Sequence, residues 1–179
     1  MALPARPARA QSPNLGRLME TPPRPLPAFT FTDAEGDAKS LADFTGQSLL
    51  LNFWATWCPP CVAEMPALDR LQAALGGEGL KVLPLSSDRG GRTQVEPFYA
   101  ARRLTKLGIW LDPRGAAGRA LGLRGLPTTV LVDRQGQERA RLEGSTEWDR
   151  PDMLATIRRL ILAPATPGQP AAPGQPTAT

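Results

Sequence analysis

The chain contains no histidine. That absence removes Ser–His–Asp and Cys–His nucleophilic catalysis together with most zinc and copper sites, because imidazole is the base in the first two and the commonest ligand in the others. Cysteine is nearly as scarce. There are two, Cys58 and Cys61, too few for a four-ligand structural zinc site. Carboxylate-only sites for magnesium or calcium stay open, but no D-x-D-x-D-G loop is present, and neither a metal nor a cofactor is expected. No stretch approaches the roughly 18 apolar residues of a membrane-spanning helix, so the sequence as given shows no anchor. The formal charge is +4, mostly from arginine. No basic block is interleaved with aromatic residues, so a nucleic-acid partner is not expected.

Proline is in excess, at 20 residues, and it clusters before Ala28 and after Ala163. Residues 1–27 are punctuated by Pro and Arg without helical or strand period and read as a disordered leader or linker. Ala8-Arg9-Ala10 within it has the small-x-small pattern of a signal-peptidase site, without the charged and apolar regions that should precede one. Either the true start lies upstream or the match is chance in an Ala/Pro/Arg-rich stretch. Residues 163–179 repeat PGQP and carry no apolar side chain larger than alanine or proline, which predicts a disordered tail. Residues 28–162 remain as one globular domain.

Within that domain Ala28–Thr32 alternates like a short edge strand, and Asp33–Gly36 forms a turn. Ser40–Phe44 reads as a helical turn closed by glycine. Ser48–Trp54 is too apolar to alternate and is predicted as a central strand buried on both faces. Val62, Met65, Leu68, Leu71 and Leu75 recur at helical spacing, with Pro66 expected to kink the helix and Gly76-Gly77 to end it. A strand at 80–85 and a helix at 94–104 follow, the helix turning Val95, Phe98, Ala101 and Leu104 inward. Then come a short strand at 107–111, a short helix at 115–121 and a buried strand at 128–132. A turn at Asp133–Gly136 leads to an alternating strand at 137–142. The last helix, 149–162, has Met153, Leu154, Ile157, Leu160 and Ile161 as its stripe. The alternation predicts an α/β three-layer sandwich with a mixed sheet, parallel at its centre, with an antiparallel C-terminal hairpin at one edge.

The two cysteines stand where the apolar strand ends and the helix begins. In the first turn of a helix, residues three apart lie about 5–6 Å apart between Cβ atoms, near disulfide range. Cys58 at the N-cap would face unpaired N–H groups and the positive end of the helix dipole, which stabilises a thiolate and lowers its pKa from about 8.5 toward ~7 or below. Cys61, one turn in, would stay a thiol until it attacks a mixed disulfide. Pro59 and Pro60 fit the first turn, where their missing N–H is harmless. Glu64 admits two readings, a solvated carboxylate favouring the helix N-terminus or a partly buried proton acceptor for Cys61. Asn52, polar within the apolar strand, reads as an amide bonded to neighbouring backbone. Trp54 reads as core, and Trp57 as a cover for the cysteines that offers apolar surface to a partner.

The run Phe53-Trp54-Ala55-Thr56-Trp57-Cys58-Pro59-Pro60-Cys61, followed by Glu64-Met65-Pro66, resembles the TlpA/ResA/CcmG-like branch of the thioredoxin superfamily. Gly125-Leu126-Pro127-Thr128-Thr129 is similar to that family's cis-proline loop, and Val132–Gly136 extends the likeness. The resemblance implies a thioredoxin fold and a redox-active Cys58–Cys61 disulfide, with Cys58 as exposed attacking thiolate and Cys61 as resolving thiol. It implies that Pro127 is cis and faces the cysteines, and that the Leu126 backbone pairs with an extended client segment. Trp57 and Pro59 would join Leu126 and Pro127 in the client site. Glu64 matches the family's acidic residue, which favours the proton role, and Asn52 stands where classical thioredoxins carry a buried aspartate. The implied activity is disulfide reduction in extracytoplasmic, periplasmic-type clients, as in cytochrome c maturation, by a monomer recharged by an upstream thiol protein. A peroxiredoxin-like peroxidase is a weaker reading, since those enzymes need P-x-x-x-[ST]-x-x-C and Thr56 stands only two residues before Cys58. A binding domain with a merely structural disulfide is weaker too, because so small a loop adds little stability. A copper chaperone lacks a histidine to complete its site.

Overall fold

The strand Ser48–Trp54 (β4) is buried at every residue, and its alternation divides the molecule into layers. Leu49, Leu51 and Phe53 enter one core with Phe29, Phe31, Phe44, Val130 and Val132. Leu50 and Trp54 enter the other, with Cys58, Cys61, Met65, Leu68, Leu71 and Leu75. A run that reads as uniformly apolar therefore supplies two faces at the two-residue period of a strand. Asn52 falls on the second face, the one that meets the cysteine helix.

The structure, a computed structural model, describes residues 17–163. Before β4 come Met19–Pro25 (β1), Thr30–Asp33 (β2), Ala38–Ser40 (β3) and a 3-10 turn at Leu41–Phe44. After it come the helix Pro59–Leu75 (α1), Leu80–Ser86 (β5), Arg92–Arg102 (α2), Trp110–Leu111 (β6) and Ala116–Ala120 (α3). Thr128–Val132 (β7), Gln137–Glu143 (β8) and Pro151–Ile157 (α4) complete the order, α4 continuing as a π-turn over Arg158–Leu162. The strands form one sheet in the order β1-β8-β7-β4-β5-β6-β2-β3. β4, β5 and β6 are parallel, and every other pairing is antiparallel. No helix among the described residues is long and apolar enough to cross a membrane.

Several sequence expectations are corrected. The leader assigned to residues 1–27 includes a strand, since β1 pairs with β8 from Met19↔Arg141 to Pro25↔Gln137. Polar residues and Pro22-Pro23 hid it. The register slips between Glu20 and Arg24, where the prolines cannot donate, and ion pairs hold it to the fold: Arg24–Glu138 at 2.9 Å and Arg159–Glu20 at 2.5 Å. The strand near Ala28–Thr32 is not an edge, because β2 lies between β6 and the short β3. Antiparallel strands flank the parallel centre on both sides rather than one. In α2 the buried residues are Val95 and Tyr99, while Ala101 is exposed. The strand expected over 107–111 has only two residues. The remainder of the leader and the tail from 164 lie outside the described residues.

Candidate active site

Cys58 is the N-cap of α1, with extended backbone, and Pro59 and Pro60 occupy the first two helical positions. The Val62 N–H donates to the Cys58 carbonyl at 3.0 Å, and the Cys58 N–H to Ala55 at 3.2 Å. Pro59 and Pro60 have no N–H and the Val62 N–H is taken, so the first turn offers an anion at Cys58 the Cys61 N–H and the positive end of the helix dipole. Cys58 and Cys61 form a disulfide with Cα atoms 5.3 Å apart. Cys58 is not freely exposed in this oxidised state. It is 5% accessible against 0% for Cys61, because the disulfide folds its sulfur onto the core. Both cysteines are buried, Cys58 slightly less so. Trp57 is 67% exposed and Pro59 is exposed beside it, so exposed apolar surface adjoins Cys58.

The Leu126–Pro127 peptide is cis. Its turn is closed by the Thr128 hydroxyl donating to Gly125 O at 2.7 Å, and the Gly144 N–H donates to Pro127 O at 2.9 Å. Leu126 is half-buried and packs against both cores, while Pro127 is buried. A cavity of about 200 Å³ opens along Leu126 and Pro127, flanked by Arg124 and Glu143. β7 starts at Thr128 and pairs with the end of β4 at Phe53↔Thr128, which brings this loop to the same sheet end as the cysteines.

Glu64 is 2% exposed and excludes the solvated reading. Three donors meet its carboxylate: Asn52 Nδ2 at 2.8 Å, Trp148 Nε1 at 2.9 Å and the Thr146 N–H at 3.3 Å. Burial pushes its carboxyl up to about 7, against the opposing pull of these bonds. An acid poised near neutrality one turn beyond Cys61 can take and return a proton at working pH. Asn52 does not bond to backbone through its side chain. Its amide bridges Glu64 and Thr129 Oγ1, the latter at 2.9 Å, because Asn52 and Thr129 are register partners on the helix-facing side of the sheet.

Sequence reasoning passed over a second buried carboxylate. Asp88, in the loop after β5, accepts from Thr56 N at 2.9 Å, Thr56 Oγ1 at 2.7 Å and Ser86 Oγ at 2.7 Å. It thereby pins the turn that precedes Cys58. Its position just beyond the carboxyl end of a central parallel strand was the available signal.

A model of the Redoxin family matches residues 22–157. The thiol-disulfide oxidoreductase ResA of Geobacillus thermodenitrificans is 33% identical over 133 residues, covering 74% of this chain and 75% of that protein. A Chlorobium tepidum structure named for the thiol:disulfide interchange protein DsbE superposes with a TM-score of 0.64 at 28% identity, over 78% of this chain and 94% of its own. The exposed lipoprotein thioredoxin of Streptococcus pneumoniae gives a TM-score of 0.62 at 26% identity, over 75% of this chain and 100% of its own.

Proposed function

The chain belongs to the Redoxin family, has a thioredoxin-like fold and is a protein thiol–disulfide oxidoreductase, and on that premise we propose that it works outside the cytoplasm as a monomeric reductase of client disulfides, of the cytochrome c maturation type. The observation that carries the reading is the joining of Cys58 and Cys61 at the start of α1, with a buried acid one turn further on. In the reduced enzyme the Cys58 thiolate attacks a client disulfide, forming a mixed disulfide and releasing one client thiolate. Cys61 then loses its proton to Glu64 and attacks the Cys58 sulfur. The Cys58–Cys61 bond forms, the second client thiolate leaves, and two electrons have passed to the client. A thiol protein upstream restores the dithiol. The client strand pairs with the Leu126 backbone beside Pro127, and Trp57 and Pro59 cover its apolar side chains. Placement outside the cytoplasm draws support from the exposed lipoprotein thioredoxin among the neighbours.

The test uses a peptide carrying the haem-attachment sequence Cys-x-x-Cys-His, oxidised to its intramolecular disulfide. Cys61→Ser should capture it as a stable mixed disulfide through Cys58, visible by intact mass, and Cys58→Ser should capture none. Reduction of insulin by the native chain with no capture of the haem-attachment peptide would remove the cytochrome c assignment and leave the oxidoreductase.

A further inference from the structure

The connection from β8 to α4 is polar, Glu-Gly-Ser-Thr-Glu-Trp-Asp-Arg over 143–150, apart from one tryptophan that is wholly buried. The Trp148 ring enters the core shared with Cys58, Cys61 and Met65, and its indole Nε1 reaches Glu64 Oε2 at 2.9 Å. We infer that Trp148 is a positioning residue of the dithiol reaction: its indole N–H orients the Glu64 carboxylate and selects the ionised form. Its place in the reaction rests on the proton role proposed for Glu64 above.

The three donors around Glu64 are not equivalent. The Asn52 amide offers a donor and an acceptor. Nδ2 donates to Oε1, and Oδ1 has no donor among the described residues. A half-turn of that amide would let it accept from a protonated Glu64, so Asn52 can serve either state. The Thr146 N–H, at 3.3 Å, is at the long end for a hydrogen bond. An indole N–H can only donate, and it bonds a carboxylate about twice as strongly as a neutral acid. Trp148 is therefore the partner that biases the equilibrium, and its bond is the foremost influence opposing the effect of burial.

Nearby charges are compensated among themselves. A groove of about 500 Å³ beside Glu64 is flanked by Arg70, Glu147, Asp149 and Arg150. Arg70 pairs with Asp149 at 2.6 Å, and Arg150 with Asp152 at 2.9 Å and Glu147 at 4.0 Å. On β4 and β7 the facing groups are Asn52 and Thr129, both neutral, and on α1 itself the neighbour is Cys61, one turn back and held in the disulfide. The connection that carries Trp148 also carries Gly144, whose N–H holds the Pro127 carbonyl. One segment thus ties the acid behind Cys61 to the loop where the client strand lies.

The deciding experiment titrates Glu64 directly, by carbon NMR of 13C-labelled glutamate in the full-length oxidised protein, with Glu64→Gln identifying its resonance. Two variants remove the donor: Trp148→Phe, and replacement of Trp148 by its benzothienyl analogue, which keeps the ring shape and puts sulfur where the N–H was. The Glu64 midpoint should rise from about 7 by about one pH unit in both. If Trp148→Phe does not fold, the benzothienyl variant decides alone. A midpoint that stays in place or falls in the shape-keeping variant overturns the inference. The pH profile of Cys61 alkylation in the reduced protein is read in parallel. A carboxyl shift that leaves that profile unmoved sinks the thiol role of Glu64 while Trp148 still sets its ionisation.

Discussion

Two buried carboxylates flank the cysteine pair, and they are built differently. Asp88 lies on the Cys58 side, and the three donors to its carboxylate come from Thr56, in the turn between β4 and α1, and Ser86, the end of β5. Glu64 lies on the Cys61 side and takes its donors from β4 and from the distant β8–α4 connection. Two of the Asp88 donors are hydroxyls that can turn to suit, all three bonds lie between 2.7 and 2.9 Å, and they fasten a loop. The Glu64 donors are an amide, an indole and a backbone N–H, unequal in length and set in an apolar core, and burial raises its pKa to about 7. The first arrangement fastens a turn, and the second is the environment that the proposed proton transfer requires. Equal burial of two carboxylates is thus no guide to their work; the partners are.

The largest effect should come from removing the geometric carboxylate. Asp88→Ala leaves the Thr56 N–H and two hydroxyls facing no acceptor, the hydroxyls being free to turn elsewhere. Stability should fall by about 3 kcal/mol, read by urea denaturation of the oxidised protein. Insulin reduction should fall roughly tenfold in kcat/KM at a temperature where the variant is folded, because the turn that positions Cys58 is no longer held. The pH profile of Cys61 alkylation should not move. A displaced profile with unchanged stability would mean that Asp88 belongs to the proton machinery, and the contrast with Glu64 would collapse.

Glu64→Gln should act on pH dependence. Folded Glu64 keeps its proton up to about pH 7, whereas an unfolded chain releases it near 4.5. Between those values the native state binds more protons, so this group makes stability fall as pH rises, by about 3 kcal/mol across the window. Glutamine cannot titrate, and the difference between native and variant free energies should slope by that amount between pH 4.5 and 7 and be flat above. The exposed carboxylates, such as Glu20 and Glu78, whose arginine partners lower their pKa, cancel in the difference. Urea midpoints at pH 4.5, 6 and 7.5 measure it. Parallel curves would show that folding leaves the Glu64 pKa where the unfolded chain has it, and the electrostatic half of the comparison would fall.

What could be read in the sequence follows the range of the interactions. Ser48–Trp54 and Thr128–Val132 are visible because strands buried on both faces need apolar residues at every position. Cys58, Pro59, Cys61 and Glu64 are visible because successive turns of one helix relate them, and Pro127 because its loop resembles a known one. β1 is not visible, since a proline-rich edge strand carries no hydrophobic period and is held by its partner strand and by arginine–glutamate pairs. Trp148 and Asp88 are hidden for a related reason. Trp148 meets Glu64 across 84 positions and Asp88 meets Thr56 across 32, and hydrogen bonds at such separations leave no local pattern. Asn52 was noticed, but its partners arrive from β7 and α1, which only the folded sheet brings to it.

The smallest change sharpens the Asp88 side. Thr56 gives this carboxylate two donors, its backbone N–H at 2.9 Å and its hydroxyl at 2.7 Å. Thr56→Val keeps the shape and the backbone bond and removes only the hydroxyl, so two of the three donors remain. Stability should drop by about 1 kcal/mol and insulin reduction should stay within about twofold, while Thr56→Ser restores both. The reasoning is that a backbone N–H is fixed by the turn itself, whereas a side-chain hydroxyl only adds to a geometry already set. If Thr56→Val loses as much as Asp88→Ala and serine rescues it, the turn before Cys58 hangs on a single side-chain bond. Asp88 would then match Glu64 in depending on one dominant donor, and the difference between the two carboxylates would reduce to the polarity of what surrounds them.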